Sequence, residues 1–190
     1  MSKTAAVVLS SPRKGSNSSA LGLAVAEGLA RAGGRPETID LSGLDIKPCQ
    51  ACGSCQRNGG RCAQVDGMRT VYPKLREASV LVLATPVYMF NMSAQLKTFL
   101  DRCFALITPK NNDLAGKTMA AAISYGAEDL DSSGAGNVLQ SLQELCRYTR
   151  TVWGGFVHGR GQDLDALALN EAALEEARAL GARLITGSAD

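Results

Sequence analysis

No run of apolar residues in this chain approaches the ~18 that a bilayer-crossing helix requires. Nor does one charge dominate: 20 lysines and arginines face 18 aspartates and glutamates, a net of +2. That balance argues against a nucleic-acid partner, whose binding surface needs clustered Lys and Arg. It leaves room for an anionic cofactor, which needs only local donors. The first residues lack the long apolar stretch and small-residue cleavage site of a secretory signal, which predicts a cytoplasmic protein. Histidine is nearly missing. The sole imidazole, His158, is a tempting acid–base group, but it follows a strand, and a loop or surface role is the favoured reading. Neither G-x-G-x-x-G nor G-x-x-x-x-G-K-[ST] occurs after the first strand, so neither a dinucleotide nor a nucleoside triphosphate is indicated there. No internal repeat is seen.

Sulfur, by contrast, is plentiful. Six cysteines in a cytoplasmic protein read as metal ligands or redox groups rather than structural disulfides. The 190 residues, 45% of them hydrophobic, suffice for one α/β domain that buries a sheet on both faces.

Residues 4–9 (TAAVVL) form a short continuous apolar run, as buried parallel strands do. Residues 10–18 are loop chemistry. Residues 20–32 carry helical spacing and end at Gly33-Gly34. A strand is expected over 35–41, a helix over 69–77 and the strongest strand over 79–84. Then follow a loop over 85–92, a helix over 93–107, a strand over 117–124 and a loop over 125–133. A helix over 136–148, a strand over 149–157 and an amphipathic helix over 165–185 complete the chain. Trp153 reads as core or interface. The alternation predicts a doubly wound, five-stranded parallel sheet of order 2-1-3-4-5. Ligands then lie at the carboxyl ends of the strands, where the loops after strands one, three and four converge. Residues 42–68 are a Cys-rich insert before strand three, and an irregular connection this long is normally functional.

The loop SSPRKGSNS after strand one opens a helix. Hydroxyls of Ser11, Ser16 and Ser18, the Asn17 amide and the helix's free N–H groups can donate to a phosphate, and Arg13 adds a planar charged fork. The same residues could simply make a turn and cap a helix. After strand three, Pro86 stops the ladder. Tyr88 and Phe90 can stack on or border a planar ring, or pack on another subunit. Asp129, Asp131, Ser132 and Ser133 could border the site or form a solvated helix entry. Cys49, Cys52, Cys55 and Cys62 follow C-x2-C-x2-C-x6-C. A tight loop at this spacing, with Gly53, Gly59 and Gly60 to curl it, offers four thiolates to one centre such as a [4Fe–4S] cluster. Zinc, disulfides and an unmetallated loop remain alternatives. Cys103 and Cys146 read as buried thiols.

Together, SPRKGSNS, TPVYMFNMSAQLKTFLDR and the Cys-rich insert resemble the NADPH-dependent FMN reductase family, and within it the iron–sulfur flavoproteins. The resemblance covers residues 4–125, with weaker support beyond. It implies a flavodoxin-like fold over residues 1–190, FMN bound non-covalently, and homodimers or homotetramers with the flavin near a subunit interface. Ser11, Arg13, Ser16, Asn17 and Ser18 match the family's phosphate loop. Pro86, Val87, Tyr88, Phe90 and Asn91 match its isoalloxazine loop, and Tyr125 and Gly126 a third flavin loop. Ser10 departs from the pattern, since many relatives carry Gly there. Phe90-Asn91 departs where small residues are common.

The expected function is electron transfer between a ferredoxin-like carrier and an acceptor through FMN and a [4Fe–4S] cluster. The alternatives are a cluster-free NAD(P)H-dependent FMN or quinone reductase, and a redox- or metal-sensing interaction protein. No side chain is expected to act as a nucleophile; the cofactors carry the chemistry.

Overall fold

The computed structural model describes residues 2–161 and 170–187. In chain order the elements are β1 (Thr4–Leu9), α1 (Asn17–Arg31), β2 (Arg35–Asp40), a 3-10 turn (Leu41–Gly43), α2 (Ser54–Arg57) and α3 (Met68–Glu77). Next come β3 (Val80–Tyr88), β4 (Asn91–Met92), α4 (Ala94–Arg102), a second 3-10 turn (Cys103–Leu106), β5 (Ile107–Thr108) and β6 (Asn111–Asn112). The chain then forms β7 (Thr118–Tyr125), α5 (Ala135–Thr149), β8 (Val152–Arg160) and α6 (Glu171–Thr186). The part of the expected closing helix at 165–169 lies outside the described residues.

The five long strands are parallel and ordered β2-β1-β3-β7-β8, which is the expected 2-1-3-4-5 arrangement. Side chains alternate between the two faces of a strand. Val7, Val82, Ala120 and Ala122 therefore meet Leu21, Val25, Leu29 and Leu180 of α1 and α6 on one face. Val8, Leu81, Leu83, Ala121 and Ile123 meet Leu75, Leu96, Phe99 and Leu142 of α3–α5 on the other. Helix α1 lies backbone to backbone against α6: a Cβ on Gly28 would sit 1.9 Å from the Arg178 carbonyl oxygen. That close approach fixes α1, and so the loop at its N-terminus.

The main differences from expectation lie at β3, α4 and the last strand. Strand β3 runs on through Pro86 to Tyr88, then turns back as β4, with Val87 paired to Met92 and Tyr88 to Asn91. Pro86 ends no strand here, because its missing N–H falls where the parallel ladder is finishing. The helix expected over 93–107 stops at Arg102 and tightens into the 3-10 turn. The last strand spans Val152–Arg160 rather than 149–157, so His158 lies within it and not after it; it starts late because α5 continues to Thr149 and Arg150 closes that helix in the left-handed region (φ 56°). A register shift opposite Met119 and Ala121 then accommodates Gly154 and Gly155.

Candidate functional site

At the carboxyl ends of β1, β3 and β7 the loops enclose a cavity of about 290 Å³. Its first wall is the loop before α1. Gly15 adopts φ +63°, which lets the chain reverse into the helix. Ser16 caps α1 by accepting from Ser19 N at 3.2 Å, while Ser11 Oγ accepts from Arg13 N at 3.2 Å. Ser11, Arg13, Ser16 and Asn17 all line the cavity, so hydroxyls, an exposed guanidinium and a helix N-terminus face one space. That is a donor set for a phosphate dianion. Ser18 does not line it; the residue is buried, with its Oγ 3.3 Å from Ser16 Oγ.

The second wall is Pro86, Val87 and Tyr88. Phe90 and Asn91 are not among the lining residues. They belong to the hairpin tip, where Met89 (φ 47°) and Phe90 (φ 62°) both take left-handed backbone. Such a two-residue turn matches strand twist but normally uses Asn or Gly. Met89 is 92% exposed and Phe90 64%. The tip is held from behind. Asn137 Nδ2 donates to the Phe90 carbonyl at 3.0 Å, and Gly134 lies so close that a Cβ there would be 2.5 Å from Phe90 Cα. The third wall is Ser124, Tyr125 and Gly126, with Gly161 beside them. Tyr125 OH is hydrogen-bonded to His158 Nδ1 at 2.9 Å, and their rings stack. Burial pushes the Tyr125 hydroxyl above its ordinary value. His158 thus supports a wall of the cavity. Asp129 is instead held below its ordinary value by the backbone and hydroxyl of Ser132, in a surface turn.

Behind the cavity lies a buried hydroxyl cluster that local sequence reading missed. Ser10 Oγ donates to the Ala84 carbonyl at 2.7 Å. Ser93 Oγ lies 3.0 Å from Ser10 Oγ and donates to the Ser10 carbonyl at 2.9 Å. Thr85 Oγ1 accepts from Ser93 N at 3.1 Å. Ser10, Thr85 and Ser93 have no exposed surface. The phosphate-type loop and the loop after β3 are therefore bolted together.

The cysteine insert packs over the α3–α5 face of the sheet, away from the strand ends. Cys49, Cys52, Cys55 and Cys62 are free thiols, the first two exposed and the others half-buried. All four border a second cavity, of about 560 Å³, whose floor includes Leu81 and Leu83 of β3 and Met119 of β7. Those residues come from the earlier halves of the strands, whereas the first cavity lies at the strand ends. Within the insert, Gly60 has φ +83° and its Cβ would strike the Ala105 carbonyl at 2.7 Å, so only glycine fits. Gln56 Nε2 donates to the carbonyls of Phe104 (3.1 Å) and Ile107 (2.9 Å), anchoring the one-turn helix α2. Cys103 is buried, and burial pushes its thiol up to about 12.

Arg102 and Asp66 form a second group that sequence reading missed. Their bidentate pair, 1% and 0% exposed, sits beside Cys62. Burial alone would raise the Asp66 carboxyl, but hydrogen bonds from Arg102 and from the backbone at Lys47 and Met68 hold it below its ordinary value.

Both donor sets fit a cofactor by their chemistry. The strand-end cavity offers phosphate donors beside an aromatic wall. The insert offers four sulfur ligands around one space, although among the described residues no three His, Cys, Asp or Glu side chains already converge as a metal site.

The parallel sheet, its 2-1-3-4-5 order and the strand-end cavity define a flavodoxin-like α/β protein. A solved structure of an NAD(P)H:quinone oxidoreductase from Methanothermobacter marburgensis superposes over 97% of this chain and 100% of its own, with TM-score 0.73 at 19% identity. Residues 4–157 match the profile of the NADPH-dependent FMN reductase family. An iron-sulfur flavoprotein of Methanosarcina thermophila is 37% identical over 134 residues, 70% of this chain and 68% of that protein. One from Archaeoglobus fulgidus is 38% identical over 95 residues, 50% of this chain and 43% of that protein. The chain belongs to the NADPH-dependent FMN reductase family and is a flavin-dependent oxidoreductase.

Proposed function

We propose that the protein passes electrons between a reduced ferredoxin-like carrier and an acceptor, using FMN at the strand ends and a [4Fe–4S] cluster on Cys49, Cys52, Cys55 and Cys62. The observation that carries this reading is the gathering of all four cysteines around one cavity in a chain of the FMN reductase family. The names of the archaeal relatives support it.

In this reading Ser11, Arg13, Ser16, Asn17 and Ser18 serve the FMN phosphate, Ser18 by supporting Ser16. Pro86, Val87 and Tyr88 border the ring, with Tyr125 and Gly126 opposite, and Phe90 and Asn91 shape the hairpin above it. When bound, FMN supplies one- or two-electron exchange and the cluster supplies single electrons. The residues bind, orient and tune; none needs to attack a substrate. The reading places the protein in the cytoplasm as a homodimer or homotetramer, with the exposed Met89 and Phe90 available to a second copy. No described helix is long and apolar enough to cross a membrane.

The test is anaerobic purification followed by a visible spectrum and quantitation of flavin, iron and sulfide. The expected result is one FMN with about four iron and four acid-labile sulfide per chain. Iron-free protein would leave the second reading, a cluster-free NAD(P)H-dependent FMN or quinone reductase, which the family's description favours. Rapid anaerobic bleaching of the flavin by NADPH or NADH alone supports that second reading. Bleaching only through ferredoxin supports the first.

A further inference from the structure

Arg102 ends α4, and its guanidinium lies buried between the two ends of the cysteine segment. Nη1 donates to the Lys47 carbonyl at 2.7 Å and to Asp66 Oδ2. Nη2 donates to Asp66 Oδ1 at 3.1 Å and stands 3.5 Å from Cys62 Sγ. Asp66 in turn accepts from Lys47 N and Met68 N, each at 3.1 Å. One ion pair therefore clasps the chain just before the first cysteine and just after the last.

Ties of this kind need no charge. A buried ion pair is costly to desolvate, and an apolar replacement of similar volume is often no less stable. Asp66 is fully engaged with backbone N–H groups and the guanidinium. Arg102 is not: its Nε is buried with no hydrogen-bond partner, and its Nη2 is aimed at a sulfur. The positive end of the pair faces the thiol, and the negative end faces away into the backbone.

We propose that Arg102 is a positioning and charge-compensating residue for the four-cysteine centre, clasping the insert and holding positive charge against Cys62. The inference rests on the reading that these cysteines carry an iron–sulfur cluster. A cluster ligated by four thiolates is anionic and gains one further negative charge with each electron accepted. A nearby guanidinium stabilises the reduced form more than the oxidised one and raises the potential. Hydrogen bonds to cluster sulfurs act in the same direction. Asp66, as the pair's negative member, opposes it.

That opposition gives the test its sign. Cluster midpoint potentials are measured by anaerobic spectroelectrochemistry on the wild type, Arg102→Gln, Arg102→Lys and Asp66→Asn proteins, with iron content and flavin quantified for each. The expected result is a fall in potential for Arg102→Gln, with a tenfold or larger change in the one-electron equilibrium, about 59 mV. Asp66→Asn should rise, and Arg102→Lys should lie between Arg102→Gln and the wild type. A purely structural clasp predicts shifts of one sign or none, with iron still bound, and that outcome overturns the inference while leaving the cluster reading intact. An iron-free wild type overturns both. If Arg102→Gln does not fold, the sign of the Asp66→Asn shift decides the matter.

Discussion

The two cavities are built by opposite means. The strand-end cavity is the smaller and more polar of the two, and it is braced: a capped helix, a buried hydroxyl cluster and a stacked Tyr125–His158 pair fix its walls before any ligand arrives. The cysteine cavity is larger and mainly apolar in its floor, and its four sulfurs sit on an irregular loop, restrained by features that include α2, Gly60 and the Arg102–Asp66 clasp. A phosphate site can be preformed because its donors are short hydroxyls and helix N-terminal N–H groups whose positions the fold already fixes. A thiolate centre depends on covalent ligation to bring its ligands together. The first should therefore behave as a property of the sheet, and the second as a property of what binds there.

Separating the two is the largest expected effect. Cys62→Ala should lose essentially all specifically bound iron while FMN stays stoichiometric, read by iron assay and flavin absorbance on one preparation. A parallel loss of flavin would mean the regions are not independent. Arg102→Ala should lower stability by about 3–5 kcal/mol, because it strands Asp66 as a buried charge. Thermal unfolding should show a fall of roughly 6–20 °C for a chain this size. Arg13→Ala should weaken FMN binding about tenfold, the scale of one charged hydrogen bond, with iron content unchanged; flavin fluorescence titration measures it. Alkylation of the native apoprotein at pH 8 should label the exposed Cys49 and Cys52 and spare Cys103, which burial keeps as a thiol. Peptide mapping reads that pattern, and labelling of Cys103 would mean the floor of the second cavity is open. Ser10→Gly should cost least, about 1 kcal/mol in denaturant unfolding, with FMN affinity nearly unchanged.

Local pattern revealed the frame. Within the expected strands, residues 5–9, 80–84 and 119–124 are buried on both faces, as the continuous apolar runs of a parallel sheet are. The loops that follow them carried the cavity residues in plain view, because phosphate donors and aromatic walls are runs of adjacent residues. Contacts distant in sequence were hidden. Ser93 meets Ser10 across 83 positions, and Arg102 meets Asp66 across 36; nothing local to either residue marks its partner. Arg102 in particular falls inside the helix expected over 93–107, where no local pattern marks it for burial, and only the tertiary fold buries it. The β3–β4 hairpin was missed for another reason: Pro86 and the Met89-Phe90 pair are poor strand and turn signals, and packing against Gly134 overrides them.

Mutational drift around the hydroxyl cluster should be lopsided. If Ser10 loses its side chain, Ser93 Oγ still donates to the carbonyl of residue 10, and the Ala84 carbonyl still accepts from the N–H of residue 10 at 3.0 Å. If Ser93 loses its side chain, α4 loses its cap at Leu96 N and the carbonyl of Ser10 loses its donor together. Position 10 is therefore the one a lineage can change first at little cost. Position 93 is the hinge on which such a change depends, so substitutions here carry an order as well as a size.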